Sequence, residues 1–363
     1  MLKLENGLTI RDIQARAVLA PLRTPLVTSA GSFPKAPLLL IDINTEEGVI
    51  GRSYLVAKSA IALKTLELLV RDLGATLVGQ KVVPLDRQAE LRALFKLIGG
   101  TRGLAGIAIS GLDVALWDAF AIGADLPLAT VLGSQPRPLH AYNSLGMIRA
   151  PEAKKEVEKS LAAGFAAIKI KVGWPTLEED LAAVRAFREA APTMKLMVDF
   201  NQYLTVTEAL RRGHALDSEG LTWIEEPIRC DDFAGCAQIA AELKTPIQLG
   251  ENFAGIFDME NALRASACDY VMTDVQQIGG VTGSLQAAVL AQTAGKEFSS
   301  HSSPEVNAHL LTIAPTGQWL EFLDVASALV TEPLHVVNGT VTAPNRPGIG
   351  LVWDEAAVAK AKL

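Results

Sequence analysis

The sequence predicts an α/β barrel behind an α+β layer, and three observations carry that prediction. From about residue 138 to about 321, short apolar runs alternate with amphipathic helical stretches. Strict alternation implies parallel pairing, and eight such units in about 200 residues match a closed (β/α)8 barrel. An ionisable side chain closes nearly every run. An open doubly wound sheet is written in the same alternation, but it would carry a glycine fingerprint after its first strand, and LHAYNSLGM has none.

The elements follow in order. QARAVLAPL and APLLLIDINTEEGVIGRSYLV alternate like strands, with Gly48 turning a hairpin after Thr-Glu-Glu. AIALKTLELLVRDLGATLVG and ISGLDVALWDAFAIG show apolar residues at three- and four-residue spacing, each stopped by glycine. Strands followed by helices form an α+β layer, assigned to residues 1–133. The barrel, residues 134–324, has the strands LHAYNS, AAIKIK, KLMVDF, TWIEE, PIQLGE, DYVMTD, EFSSH and QWLEF. Between them lie stretches such as LEEDLAAVRAFREAA, where Leu177, Leu181, Val184 and Phe187 mark one helix face. Residues 325–363, containing GTVTAPNRPGIGLVW, read as strand and turn that rejoin the first layer.

Composition narrows the function classes. The chain has 363 residues, 49% hydrophobic and 20% charged, with a net charge of −7 and no basic block. Phosphate neutralisation needs clustered Lys and Arg, so no nucleic-acid partner is expected and a small molecule is. Cys230, Cys236 and Cys268 form no CxxC pair, which indicates neither a disulfide framework nor a structural zinc site. The N-terminus lacks a signal pattern and no run reaches the roughly 20 apolar residues of a membrane span, so a cytoplasmic protein without a membrane partner is expected.

The strand ends carry the chemistry. They deliver Lys169 and Lys171, then Asp199, Glu225, Glu251, Asp274, His301 and Glu321. Asp199, Glu225 and Glu251 are spaced 26 residues apart twice over, one βα repeat each time. In a barrel these side chains meet at the C-terminal rim, where catalysis occurs. A single carboxylate after a strand is often only a helix cap, but three converging carboxylates repel unless a cation joins them. All-oxygen ligation favours Mg²⁺. Asn201, two residues past Asp199, could hydrogen-bond substrate or ligand, and Glu226 faces the same question. Of the five histidines, His301 alone ends a strand at this rim, and Asp274 on the preceding strand could orient it as a base. His309 falls in an apolar helix and reads as a satisfied core residue; His140, His214 and His335 read as peripheral.

The constellation Lys169-x-Lys171, Asp199-x-Asn201, Glu225-Glu226-Pro227, Gly250-Glu251-Asn252, Asp274, His301 and Glu321 resembles the mandelate racemase group of the enolase superfamily. ISGLDVALWDA, LPLATVLG and PGIGLVW extend the likeness over essentially the whole chain. The resemblance implies a (β/α)7β modified TIM barrel with an N-terminal α+β capping domain completed by the C-terminal segment. It implies Mg²⁺ on Asp199, Glu225 and Glu251, stabilising the enediolate formed when a 2-hydroxy carboxylate loses its α-proton. Lys171 and His301, paired with Asp274, would be the bases on opposite faces. Lys169 would neutralise the carboxylate, a protonated Glu321 would donate to it, and Asn201 and Ser144 would assist. Lys171 must be shifted down from its usual pKa to act, which the neighbouring Lys169 and the metal are expected to do.

The lid stretches near 22–36 and 53–60 depart from the group's aromatic pattern. They place Val56 and Lys58 where rings are expected, with Phe33 the only ring, while Ser302 follows His301 in place of a leucine and Leu145 follows Ser144 in place of a histidine. A lysine pointing inward there implies a polar or anionic distal group on the substrate. The leading expectation is a racemase or epimerase, with acid-sugar dehydration from the same site as the alternative. A non-catalytic barrel predicts a missing site residue, and none is missing. A hydrolytic barrel would favour histidine ligands. Homo-oligomerisation is implied by the resemblance.

Overall fold

The computed structural model describes residues 7–28 and 31–363. Strands β1 (Ile10–Thr28), β2 (Gly31–Thr45) and β3 (Ile50–Val56) form an antiparallel meander, and Gly48 lies in the turn between β2 and β3 as expected. Four helices follow: α1 (Ala60–Ala75), α2 (Pro84–Ala93), α3 (Leu104–Gly123) and α4 (Leu128–Val131). Helix α1 starts at Ser59, whose side chain accepts from the Ala62 N–H, and ends at Thr76, whose hydroxyl donates to the Leu73 carbonyl. The glycine expected to stop it, Gly79, lies three residues further on, because the threonine already satisfies the last turn. Helix α3 does end on Gly123.

Helix α3 is the one described helix long and apolar enough to cross a membrane by length and composition, a run the sequence reading overlooked. It is buried instead, packed against the meander so closely that a Cβ on Gly51 would sit 2.1 Å from the Ala115 carbonyl oxygen. Its two carboxylates serve as links. Asp113 accepts from the Thr282 N–H and hydroxyl in the barrel domain, and Asp118 accepts from the N–H groups of Arg52 and Ile349.

Eight parallel strands close the barrel: β4 (Leu139–Met147), β5 (Ala167–Lys171), β6 (Lys195–Asp199), β7 (Ile224–Glu225), β8 (Ile247–Leu249), β9 (Tyr270–Asp274), β10 (Phe298–His301) and β11 (Gly317–Phe322), with β11 returning to β4. The gaps hold α5 (Ala153–Ala162), α6 (Leu177–Ala190), α7 (Val206–Leu216), α8 (Phe233–Glu242), α9 (Ile256–Arg264), the pair α10 (Val275–Ile278) and α11 (Gly280–Thr293), and α12 (Pro304–Ile313). Alternation along β5 turns Ile168 and Ile170 outward into the core between strands and helices, and Lys169 inward. Tyr142, Met197 and Trp223 fill the interior beneath the rim.

Between β11 and the next strand there is only a short 3-10 turn, Ser327–Leu329, in place of an eighth barrel helix. The chain instead adds β12 (Thr340–Val341) antiparallel to β4, then returns to the meander. There Trp353 donates its indole N–H to Asp42 at 2.8 Å, and α13 (Glu355–Ala361) packs on β1. The fold is thus a (β/α)7β modified TIM barrel with an α+β cap completed by the C-terminal segment.

Candidate active site

Strand register assembles the site. Lys171 pairs with Asp199 across β5 and β6, Asp199 with Glu225 across β6 and β7, and Asp274 with His301 across β9 and β10. Glu251 follows β8 by two residues, through Gly250. That glycine has φ +130°, and a Cβ there would meet the Met272 carbonyl oxygen at 2.0 Å, so only glycine lets the chain turn Glu251 inward.

Asp199, Glu225 and Glu251 are buried, and one carboxylate oxygen from each lies within 4.8 Å of the others. Oxygens sharing an ion at about 2.0–2.1 Å stand roughly 3–4 Å apart, so the separation and the all-oxygen donor set fit Mg²⁺. Residues the sequence reading missed hold the middle ligand. Glu225 Oε2 accepts from the Trp223 indole N–H at 3.0 Å and the Gln248 amide at 3.3 Å. Alternation could have found Trp223, which sits two residues before Glu225 on the same face.

Lys169 is 1% exposed. Its ammonium contacts Glu225, lies 2.8 Å from Glu321 Oε1, and stands over the Tyr142 ring. Burial alone would lower its pKa, but Glu225 and Glu321 raise it well above the usual value. Lys171 donates to Asp199 Oδ2 at 2.8 Å and Asn201 Oδ1 at 2.5 Å. Asn201 in turn donates its N–H and its amide to Asp199, at 2.7 and 3.0 Å.

The protein's own charges act on two of the groups whose ionisation matters, Lys171 and Glu321. Burial and Lys169 do push Lys171 down, yet the Asp199 carboxylate outweighs them and its pKa is raised. Glu321, expected as a protonated donor, stands between Lys169 and His301. Burial would raise it, but Lys169 and His301 bring it to about 2, and as a carboxylate it accepts from the Ser302 N–H at 2.8 Å.

His301 Nδ1 lies 2.7 Å from Asp274 Oδ2, while Nε2 lies 3.0 Å from Glu251 Oε2 and 3.5 Å from Glu321 Oε2. Burial favours the neutral ring, and Glu251 and Glu321 override it to raise the pKa well above normal. Glu226 is buried beside Glu251, which together hold its carboxyl well above the usual range; the Asn252 amide donates to both its oxygens at 2.9 Å.

The lid residues divide. Lys58, at φ +48° in an exposed loop after β3, has its ammonium under the influence of the site. Surrounding protein would lower its pKa, but Glu251, Asp274 and Glu226 raise it. Val56 instead packs against the core between cap and barrel around Tyr54 and Val275, its N–H donating to Gln276 at 2.6 Å. Ser302 is buried, with its N–H on Glu321 and its carbonyl accepting from Asn307, so it holds Glu321 in place. Ser144 lies beside Lys169 in the sheet and hydrogen-bonds Glu321. The Phe33 side chain falls outside the described residues. His309 is a satisfied core residue, His140 packs on the Trp319 ring, and His214 lies 3.8 Å from Asp217 at the end of α7.

Known proteins agree with this geometry. Residues 10–133 match the family model for the mandelate racemase / muconate lactonizing enzyme N-terminal domain, and residues 152–357 match the enolase C-terminal domain-like model. The L-talarate/galactarate dehydratase of Salmonella typhimurium is 31% identical over 97% of this chain and 91% of its own. The 3,6-anhydro-alpha-L-galactonate cycloisomerase of Streptomyces coelicolor is 34% identical over 92% of this chain and 94% of its own. A Bradyrhizobium enolase crystallised with magnesium and mandelic acid superposes with a TM-score of 0.96 at 41% identity, over 99% of this chain and 100% of that one. The chain therefore belongs to the mandelate racemase group of the enolase superfamily, as a magnesium-dependent member.

Proposed function

We propose that this protein removes the α-proton of a 2-hydroxy carboxylate and returns a proton to the opposite face, acting as a racemase or epimerase. The observation that carries this reading is the placement of its two bases. Lys171 on β5 and His301 on β10 are separated by β4 and β11 one way around the barrel and by β6 to β9 the other. Each also touches a different metal ligand, Asp199 and Glu251 respectively. A substrate carbon held above the carboxylates is then reachable from both sides.

When bound, Mg²⁺ supplies positive charge where the substrate carboxylate gains electron density as the proton leaves. Lys169, buried and charged, adds a second positive group, held by Glu321. Asp274 accepts the Nδ1 proton of His301, which leaves Nε2 to take or give the substrate proton. Asn201 and Asp199 fix the Lys171 ammonium on the other side. With Mg²⁺ held by Asp199 and Glu251, the charges that raise the Lys171 pKa would be offset, and burial and Lys169 would lower it.

A second reading, dehydration of an acid sugar, is favoured by Lys58, a cation held near Glu251, Asp274 and Glu226 where it can meet a polar distal group. Its likeness to a talarate/galactarate dehydratase supports the same reading. In that reaction His301 protonates a departing β-hydroxyl after the same first step. Incubation in D2O with Mg²⁺ and a panel of mandelate, lactate and aldarates separates the two. Deuterium at C2 without net product supports proton transfer; a 2-keto acid supports dehydration; neither result with any acid contradicts both.

A further inference from the structure

The loop that follows the Lys171 strand is clamped by two buried side chains that belong to neither the metal cluster nor the substrate face. Asp180, on the first turn of α6, is 0% exposed, and Arg212 on α7 is 4% exposed. Asp180 Oδ1 accepts from the N–H groups of Gly173 at 2.8 Å and Trp174 at 2.9 Å, while Oδ2 accepts from Arg212 Nη1 at 2.5 Å. The same Nη1 donates to the Trp174 carbonyl at 2.8 Å, Nη2 reaches the Pro175 carbonyl at 3.4 Å, and Nε donates to Glu208 at 2.6 Å. The clamp is itself anchored. A reciprocal hydrogen-bond pair between Thr176 and Glu179 fixes the start of α6, and the Arg149 guanidinium stacks on the Trp174 ring at 4.4 Å.

Residues 172–175 have no regular structure, so nothing but side chains and the one bond from the Val172 N–H to the Asp199 carbonyl holds them. Lys171 ends its strand immediately before them. A buried ion pair adds little net stability compared with apolar packing, and its better-supported use is to fix one geometry. Here the fixed geometry is that of the backbone next to a base whose ammonium must meet both Asp199 and Asn201.

We propose that Asp180 and Arg212 are positioning residues for Lys171, holding its strand end so that the ammonium faces the substrate carbon while His301, across the barrel, is set independently by Asp274. This rests on the two-base reading above, and it predicts an asymmetric defect. Asp180→Asn keeps the shape but loses the charge that orders Arg212; Arg212→Lys keeps the charge but loses the planar fork to the Trp174 and Pro175 carbonyls.

The test follows deuterium uptake at C2 from each enantiomer separately, using mandelate or lactate, whichever the wild type exchanges faster, together with crystal structures of the magnesium-loaded variants. Exchange of the enantiomer whose α-hydrogen faces Lys171 should fall about 10- to 100-fold, with KM little changed, because small misplacement of a reacting group has that effect. Exchange of the other enantiomer should stay within about twofold, and the Lys171 ammonium should leave Asp199 or Asn201. Equal losses for both enantiomers, no loss for either, or a Lys171 that keeps both contacts in the variants would overturn the proposal. If Asp180→Asn does not fold, Arg212→Lys carries the test. A wild type that exchanges neither enantiomer of any acid sinks the two-base reading instead, and the crystal structures still decide whether the pair positions Lys171.

Discussion

His301 and Asp274 are register partners on adjacent parallel strands, and their side chains meet at 2.7 Å. The sheet itself therefore sets the imidazole orientation, with no loop rearrangement needed to bring the carboxylate to Nδ1. Asp274 is held in turn by the Gln276 N–H at 2.7 Å. Asp274→Asn should leave far-UV circular dichroism unchanged and lower exchange from the His301 face about 100- to 10,000-fold, the range a positioned acid or base contributes. Unchanged exchange from that face would show that the Asp274 carboxylate does not set His301 for catalysis.

Magnesium should stabilise the folded chain through Asp199, Glu225 and Glu251. At a concentration 100 times its Kd, a ligand specific to the native state adds about 2.7 kcal/mol, visible as a rise in Tm. Glu225→Gln should abolish most of that rise and, in the same protein, the recovery of activity by Mg²⁺ after EDTA. A variant that titrates with Mg²⁺ like the wild type would show that the ion binds elsewhere.

Lys58 should set the distal preference. Lys58→Phe removes the one described lid cation near Glu251, Asp274 and Glu226. Its kcat/KM for an aldarate should fall about 10-fold or more, the scale of one lost charged hydrogen bond, while turnover of aromatic acids rises. Steady-state kinetics on both substrates checks this, and an unchanged ratio would place Lys58 outside substrate recognition.

His309 gives a pH dependence remote from the metal cluster. Its Nδ1 accepts from the Ala129 N–H at 3.2 Å and its Nε2 faces the Ile349 carbonyl at 3.3 Å, so it ties α12 to the cap and to the C-terminal return. Those partners fit only the neutral ring, and burial holds its pKa at about 4. The folded value lies below the unfolded value of about 6.5, so the associated stability is present above pH 6.5 and is lost as pH falls toward 4. The full effect is on the order of 3 kcal/mol. Urea denaturation should show His309→Gln flattening that slope between pH 6.5 and 4; equal slopes in both proteins would contradict it.

The barrel was legible because each βα unit repeats an apolar strand, an amphipathic helix and a strand-end acid or base. Asp199, Glu225 and Glu251 could be paired by spacing alone. Ionisation could not be read that way: Lys171 and Glu321 take their charges from Asp199, Lys169 and His301, which only the closed barrel brings into contact. No motif or spacing in the sequence singles out Asp180 or Arg212. Their partnership spans 32 residues and exists only once α6 and α7 pack side by side. The packing of Val56 was hidden for the same reason, since the core it rests against is built from both the cap and the barrel.

Deuterium uptake at C2 probes the shared first step most directly. With Mg²⁺ in D2O, a 2-hydroxy acid should gain one deuterium at C2 starting from either enantiomer, at a rate abolished by EDTA and restored by Mg²⁺. Racemisation of such an acid without deuterium uptake at C2, or exchange that persists undiminished in EDTA, would contradict α-proton abstraction at this magnesium site.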